Sequence, residues 1–283
     1  MRLRSLLFVP GDRPDQMSKA CGAGADALIL DLEDAVSAAH KARARSEVAS
    51  FLKAAERRSP VFVRINALSS RLADEDLAAT AAAAPDGFVL PKAEGAASIL
   101  ELVRRLEALG ASAPPILPIA TETPLAMFKL GEYASVPDRL CALTWGAEDL
   151  PAAIGASQAR LPDGSFTPPY EIARSWSLFA AHAAGVPAIE TVYPAFRDLD
   201  GLALFAARAA RDGFGGMLAI HPGQITAINA AFTPSAEAVA RAQRIIAAFA
   251  QDPDRGVIDL DGAMLDAPHL KQAHALIARA AAS

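Results

Sequence analysis

A chain of 283 residues with 52% hydrophobic and 21% charged side chains can bury one large core and is too apolar for wholesale disorder. Its net charge of −5, with Lys and Arg scattered along the chain, leaves no basic stripe to follow a phosphodiester backbone, which excludes nucleic acid as a partner. The alanine-rich runs are broken by charges, Gly and Pro before they reach bilayer-spanning length, so no membrane partner is expected.

The first fifteen residues, MRLRSLLFVPGDRPD, hold three arginines and an apolar run too short for the core of a secretory signal, so the chain reads as cytoplasmic. Eight short aliphatic runs follow in order: SLLFV at 5–9, ALILD at 27–31, VFVRI at 61–65, GFVLP at 87–91, ILPIAT at 116–121, LCALTW at 140–145, AIETV at 188–192 and GMLAI at 216–220. Most are continuously apolar, as strands covered on both faces must be, and each gap is long enough for a crossover helix. Eight βα units predict an α/β fold, a TIM (β/α)8 barrel over residues 1–232, with a doubly wound open sheet as the alternative. Residues 233–283 then form a C-terminal helical extension. In it PSAEAVARAQRIIAAFA and APHLKQAHALIARAAA read as helices joined by a turn-rich segment near DPDRGVIDLDG. Cys21 and Cys141 have no metal spacing and read as reduced core residues.

In such a barrel chemistry sits at the carboxyl ends of the strands. The eight ends carry, in order, PGDRPDQ; Asp31 with Glu33 and Asp34; Arg64 and Asn66; Lys92; Thr121 and Glu122; Glu148 and Asp149; Glu190; and His221. Strands also end where water begins, which accounts for any one of these charges but less well for the set. Glu122 and Asp149 lie one βα unit apart, so their carboxylates are expected to converge on one hard cation such as Mg²⁺, which takes one or two carboxylates and keeps positions for substrate oxygens. Asp31, Glu33, Asp34 and Glu148 are expected behind these groups, as supports or holders of bound water. Arg64 suits a substrate carboxylate, because its planar fork can hold two oxygens. A buried ion pair with Asp31 or Glu33 is the structural alternative, and the two are compatible. His221 reads as a rim residue supporting its neighbours more readily than as a general base.

Taken in order, LLFVPGDRPD, LILDLEDAV, VFVRIN, VLPKAE, ATETP, LTWGAEDL, AIHPGQ and GAMLDAPH resemble the citrate lyase beta subunit-like branch of the HpcH/HpaI aldolase superfamily, which includes malyl-CoA and citramalyl-CoA lyases. The resemblance implies a Mg²⁺-dependent lyase that makes or breaks a carbon–carbon bond between an acyl-CoA and a 2-oxo acid. It implies metal ligation by Glu122 and Asp149 and a substrate-carboxylate grip by Arg64. Pro10, Gly11, Arg13 and Lys19 fall where the family contacts coenzyme A. It further implies a homo-oligomer, trimer or hexamer, in which Asp266 is donated to a neighbour's site as acid or base. Glu190 stands where Asp is expected, which leaves the pocket shape open. Malyl-CoA thioesterase, an acyl-carrier-dependent citrate lyase beta subunit and a non-catalytic subunit that kept the fold are the rival readings.

Overall fold

The computed structural model describes residues 1–54, 59–251 and 256–281. By internal contacts the chain divides into two compact units, Leu3–Asn229 and a second made of Met1–Arg2 with Ala230–Ser283.

In the larger unit eight strands form one sheet: β1 (Ser5–Pro10), β2 (Ala27–Asp31), β3 (Val61–Arg64), β4 (Gly87–Leu90), β5 (Ile116–Pro118), β6 (Leu143–Thr144), β7 (Ala188–Glu190) and β8 (Gly216–Ala219). Neighbours pair in parallel, and β1 sits between β2 and β8. The remaining edges, β5 and β6, meet through bridges at Ile116↔Leu140 and Ile119↔Thr144, so the sheet curls into a nearly closed barrel. The expected strands at 116–121 and 140–145 are thus shorter. At that seam ladder bonds persist only as isolated contacts such as Ala120 N to Thr144 O at 2.9 Å.

Side chains alternate across a strand with period two. Leu6, Ala27, Ile29, Phe62, Val89, Leu117, Ile119, Ile189 and Leu218 all point inward and fill the barrel with a contiguous apolar cluster. Each such burial contributes on the order of 1.5–3 kcal/mol. Gly87 is required there, since a Cβ would meet the Phe62 ring at 2.2 Å. Cys141 packs half-buried against this cluster, and burial pushes its thiol up to about 12. Cys21 is also half-buried, on the helix rim rather than in the core.

The second unit holds helices Ala236–Gln251 and Ala267–Ala281. Between them lies an antiparallel hairpin, β9 (Val257–Leu260) and β10 (Ala263–Asp266), where the sequence suggested only turns. Asp261 and Gly262 both take positive φ, 56° and 78°, the backbone a two-residue hairpin turn demands. Ile245, Phe249, Ile258 and Leu265 form its own apolar core. Residues 252–255 of the expected turn segment lie outside the described residues.

Candidate active site

The alternation that buries Ile29 and Phe62 places Asp31 and Arg64, two residues on, at the carboxyl mouth of the same interior face. The strand register sets them side by side. Arg64 donates to Asp31 through Nε (2.7 Å) and Nη2 (2.6 Å), a two-pronged pair, and its Nη1 stands 3.1 Å from Glu33 Oε2. Asp31, fully buried, also accepts the backbone N–H groups of Glu33 and Ala35. Burial alone would lower the Arg64 pKa, but the Asp31 and Glu33 carboxylates outweigh it and hold the guanidinium firmly charged. Of the five N–H donors on Arg64 these contacts use three at most, which leaves donors for a ligand.

Lys92 joins this pair to the other carboxylates. Its residue is left-handed (φ 51°), so its backbone N–H turns to Glu122 Oε2 while its ammonium turns back to Glu33 Oε1, both at 2.5 Å. The same Nζ lies 3.5 Å from Asp149 Oδ1 and 4.0 Å from Asp34 Oδ2. The cation that the crowded acids at 148 and 149 call for is therefore partly the chain's own. Sequence reading placed Lys92 at a strand end and gave it no role; its left-handed backbone could not have been read from composition. Behind Glu33, Lys41 Nζ ties the backbone oxygens of Leu32 and Glu33 to Asn66, and Asn66 leans on buried Asp76, so the loop after β2 is held from below.

Glu122 follows β5 and is 4% exposed. Gly146 admits it, since a Cβ at that position would lie 2.7 Å from Glu122 Cγ. Burial, then the neighbouring Asp149 and Glu33 carboxylates, hold the Glu122 carboxyl well above the ordinary range. Asp149 begins the helix Asp149–Ile154. Glu122, Asp149, Arg64, Asp31, Asp34 and Glu148 line one cavity of about 300 Å³, walled by apolar side chains that include Trp145. Carboxylates facing one space, Glu122 buried and Asp149 half-buried, fit a hard divalent cation with oxygen ligands. Among the described residues no three His, Cys, Asp or Glu side chains are grouped to hold a metal by themselves, so the fit is to an ion kept by two carboxylates with water and ligand oxygens.

The other expected residues divide. Pro10 lines the cavity, while Gly11 packs against the β2 end, its N–H on Asp31 O at 2.8 Å. Exposed Arg13 stands 3.6 Å from Asp12, and Lys19 is exposed on the helix Pro14–Ala20; neither lines the cavity. Asp266 ends β10 in the second unit and pairs with His269 Nδ1 at 2.5 Å, a partner that sequence reading missed. His221 caps the turn after β8 by accepting the Gly223 N–H and stacks on Phe196, a supporting part. Glu190, one residue past inward Ile189, points outward and is buried against Arg174 (2.6 Å) while accepting the Trp145 indole N–H. It reaches the cavity only by fixing the Trp145 ring.

The family model for HpcH/HpaI aldolase/citrate lyase matches residues 4–222. A citrate lyase subunit beta-like protein of Mycobacterium tuberculosis is 38% identical over 274 residues, covering 97% of this chain and 94% of its own. A (3S)-malyl-CoA thioesterase of Cereibacter sphaeroides is 34% identical over 283 residues, covering 99% and 95%. The crystal structure of the M. tuberculosis protein CitE in complex with magnesium, acetoacetate and coenzyme A superposes with a TM-score of 0.83 at 36% identity over 98% of both chains.

Proposed function

The chain belongs to the HpcH/HpaI aldolase/citrate lyase family, and from that we propose that it is a Mg²⁺-dependent lyase that cleaves, or forms, a 3-hydroxyacyl-CoA such as malyl-, citramalyl- or citryl-CoA to acetyl-CoA and a 2-oxo acid. The observation that carries the reading is the single cavity in which two carboxylates and one guanidinium converge, Glu122 and Asp149 beside Arg64. A relative crystallised with magnesium and coenzyme A supports it.

In this reading Glu122 and Asp149 hold Mg²⁺, which when bound supplies Lewis-acid polarisation of the oxygen that becomes the 2-oxo carbonyl. Arg64 grips the adjacent carboxylate with its unspent N–H donors and, backed by Asp31 and Glu33, keeps it oriented as the bond breaks. Asp31, Glu33, Asp34 and Glu148 hold these groups in place. Pro10, Gly11, Arg13 and Lys19 are the proposed coenzyme A contacts, the cations suited to its phosphates. Asp266 of a second copy would protonate the enolate carbon of acetyl-CoA in cleavage and take the proton back in condensation. The exposed face of helix Pro168–Ala183 supports self-association. Ile172, Trp176 and Phe179 lie one helical turn apart at 51%, 47% and 67% exposure, where a surface helix normally carries charge.

The 34% identical thioesterase favours a second reading, hydrolysis of the thioester. One experiment separates them. The protein is incubated with Mg²⁺ and candidate 3-hydroxyacyl-CoA esters, and with acetyl-CoA plus each 2-oxo acid, and thioesters are identified by mass. Acetyl-CoA from cleavage, or a new acyl-CoA from condensation, supports the lyase; free CoA alone supports hydrolysis. Full turnover by Glu122→Ala or Asp149→Ala would refute the site.

A further inference from the structure

We infer that His269 is a positioning residue for Asp266, whose imidazole shares one proton with the carboxyl and reloads it from water; the inference rests on the reading above, in which Asp266 of a second copy moves a proton to and from carbon. Asp266 closes β10, opposite Val257. Leu265 beside it packs into the core of its own unit, so alternation turns Asp266 to the outer face, with Met264 at 76% and Val257 at 45% exposure. A group offered to another molecule has to face that way.

The helix Ala267–Ala281 starts directly after Asp266, which makes Asp266 its N-cap and His269 its third residue. His269 Nδ1 lies 3.2 Å from the Asp266 backbone nitrogen and 2.5 Å from Asp266 Oδ1. Bare lone pairs on Nδ1 and Oδ1 would repel at that separation, so a proton lies between them: Oδ1–H donates to a bare nitrogen, or Nδ1–H donates to a carboxylate. The two groups therefore take up and lose that proton as a pair. Among the described residues, the charged side chains on the elements packed around the pair are Asp259 on β9, Glu237, Arg241 and Arg244 on the helix Ala236–Gln251, and Lys271, His274 and Arg279 on its own helix. Arg244 is held by Asp261 at the hairpin turn, and Asp259 accepts the Gly262 N–H. Lys271 and His274, two and five residues on, lie off the helix face that His269 occupies.

In cleavage the Asp266 O–H bond breaks, its electron pair stays on the carboxylate, and the proton forms a C–H bond with the enolate electron pair of acetyl-CoA. The imidazole then takes a proton from water and restores it to the pair, matching the hydroxyl proton that the substrate gives up to solvent. Condensation runs the same transfers backwards. The Asp266 and His269 side chains are 50% and 45% exposed, so one can meet a ligand while the other exchanges with water.

His269→Gln separates this from a capping role, because glutamine at the third position still reaches back to the N-cap N–H but cannot take up or release a proton. Cleavage of malyl-CoA and citramalyl-CoA by the intact protein in saturating Mg²⁺ is followed across the range where histidine titrates. The variant should keep the wild-type melting temperature and KM and lose about tenfold or more in kcat near neutral pH. Its cleavage should also decline with rising pH at least about one unit lower, since a lone carboxylate gives up its proton earlier than an imidazole does. Imidazole added to His269→Ala should restore part of the rate. A pH profile that overlies the wild type, or a loss equal at every pH, overturns the inference; if Asp266→Ala is inactive in the same assay, the Asp266 role stands. Full turnover by Asp266→Ala overturns that role and the inference with it. Failure of the wild type to cleave either ester overturns the lyase reading, and the inference again falls with it.

Discussion

Glu122 is caught between function and stability, and Glu122→Gln separates the two. The substitution keeps the shape and an oxygen to accept the Lys92 backbone N–H, but removes a charge that is 4% exposed and faces Asp149 and Glu33. Removing an imperfectly paired buried polar or charged group relieves about 1–3 kcal/mol. For a unit of this size that moves the thermal midpoint upward by roughly 2–4 °C per kcal/mol, so in EDTA the variant should melt above the wild type. With Mg²⁺ at about 100 times its dissociation constant the variant's advantage should be cancelled or reversed over most of that range, because the wild type gains about 2.7 kcal/mol from the ligand and the variant gains none. The pH dependence has a definite sign. Burial raises the folded-state carboxyl above its unfolded value, so its contribution is present at low pH and lost as pH rises from the ordinary carboxylate range through the raised value. The metal-free wild type should show that loss and the variant should not. Differential scanning calorimetry in EDTA and in Mg²⁺ reads all of this. A variant that melts below the wild type in EDTA, or climbs with Mg²⁺ as the wild type does, would refute the reasoning.

Arg64→Met strands fully buried Asp31, so urea unfolding should show a loss of about 3–5 kcal/mol, and adding Asp31→Asn should restore most of it; if the double variant is no better than the single, the pair is not what holds the mouth together. Asp266→Ala and Glu122→Ala should each be inactive alone, yet mixed oligomers formed by co-expression should regain activity, since one interface then carries both intact groups. Mixtures as dead as their components would count against donation between copies. Trp176→Asp with Phe179→Asp should shift the protein from oligomer to monomer in light scattering while the far-ultraviolet circular dichroism stays unchanged; an unaltered mass would free that face of its proposed part.

How far the sequence shows this depends on which residues carry a local signal. The strands were legible because runs such as ALILD are buried on both faces and must be apolar throughout. Asp31 and Arg64 were legible as a pair for the same reason, since each lies two places past an inward hydrophobe. The same count turns Glu190, one place past inward Ile189, outward. The Asp261–Gly262 turn was present in plain sight between VIDL and AMLD, yet helices on either side made it look like a loop. Lys92 was beyond reach, because its part depends on a left-handed backbone in a residue type that rarely adopts one. The same holds for the Lys41–Asn66–Asp76 support, assembled from two successive crossovers.

The electrostatic balance at the mouth orders the events of binding. Asp31, Glu33, Asp34, Glu122, Glu148 and Asp149 face or back one space, and among the described residues Arg64, Lys92 and, behind Glu33, Lys41 are set against them. An anionic acyl-CoA or oxo acid approaching that mouth meets a net negative field whose reach at physiological salt is roughly 8 Å. On the proposed reading a divalent ion held by Glu122 and Asp149 would offset two of the excess negative charges, so the metal is expected to bind before the anion it helps to hold. The crowding of acids expected to destabilise the metal-free protein would then be the same feature that makes substrate binding conditional on the metal.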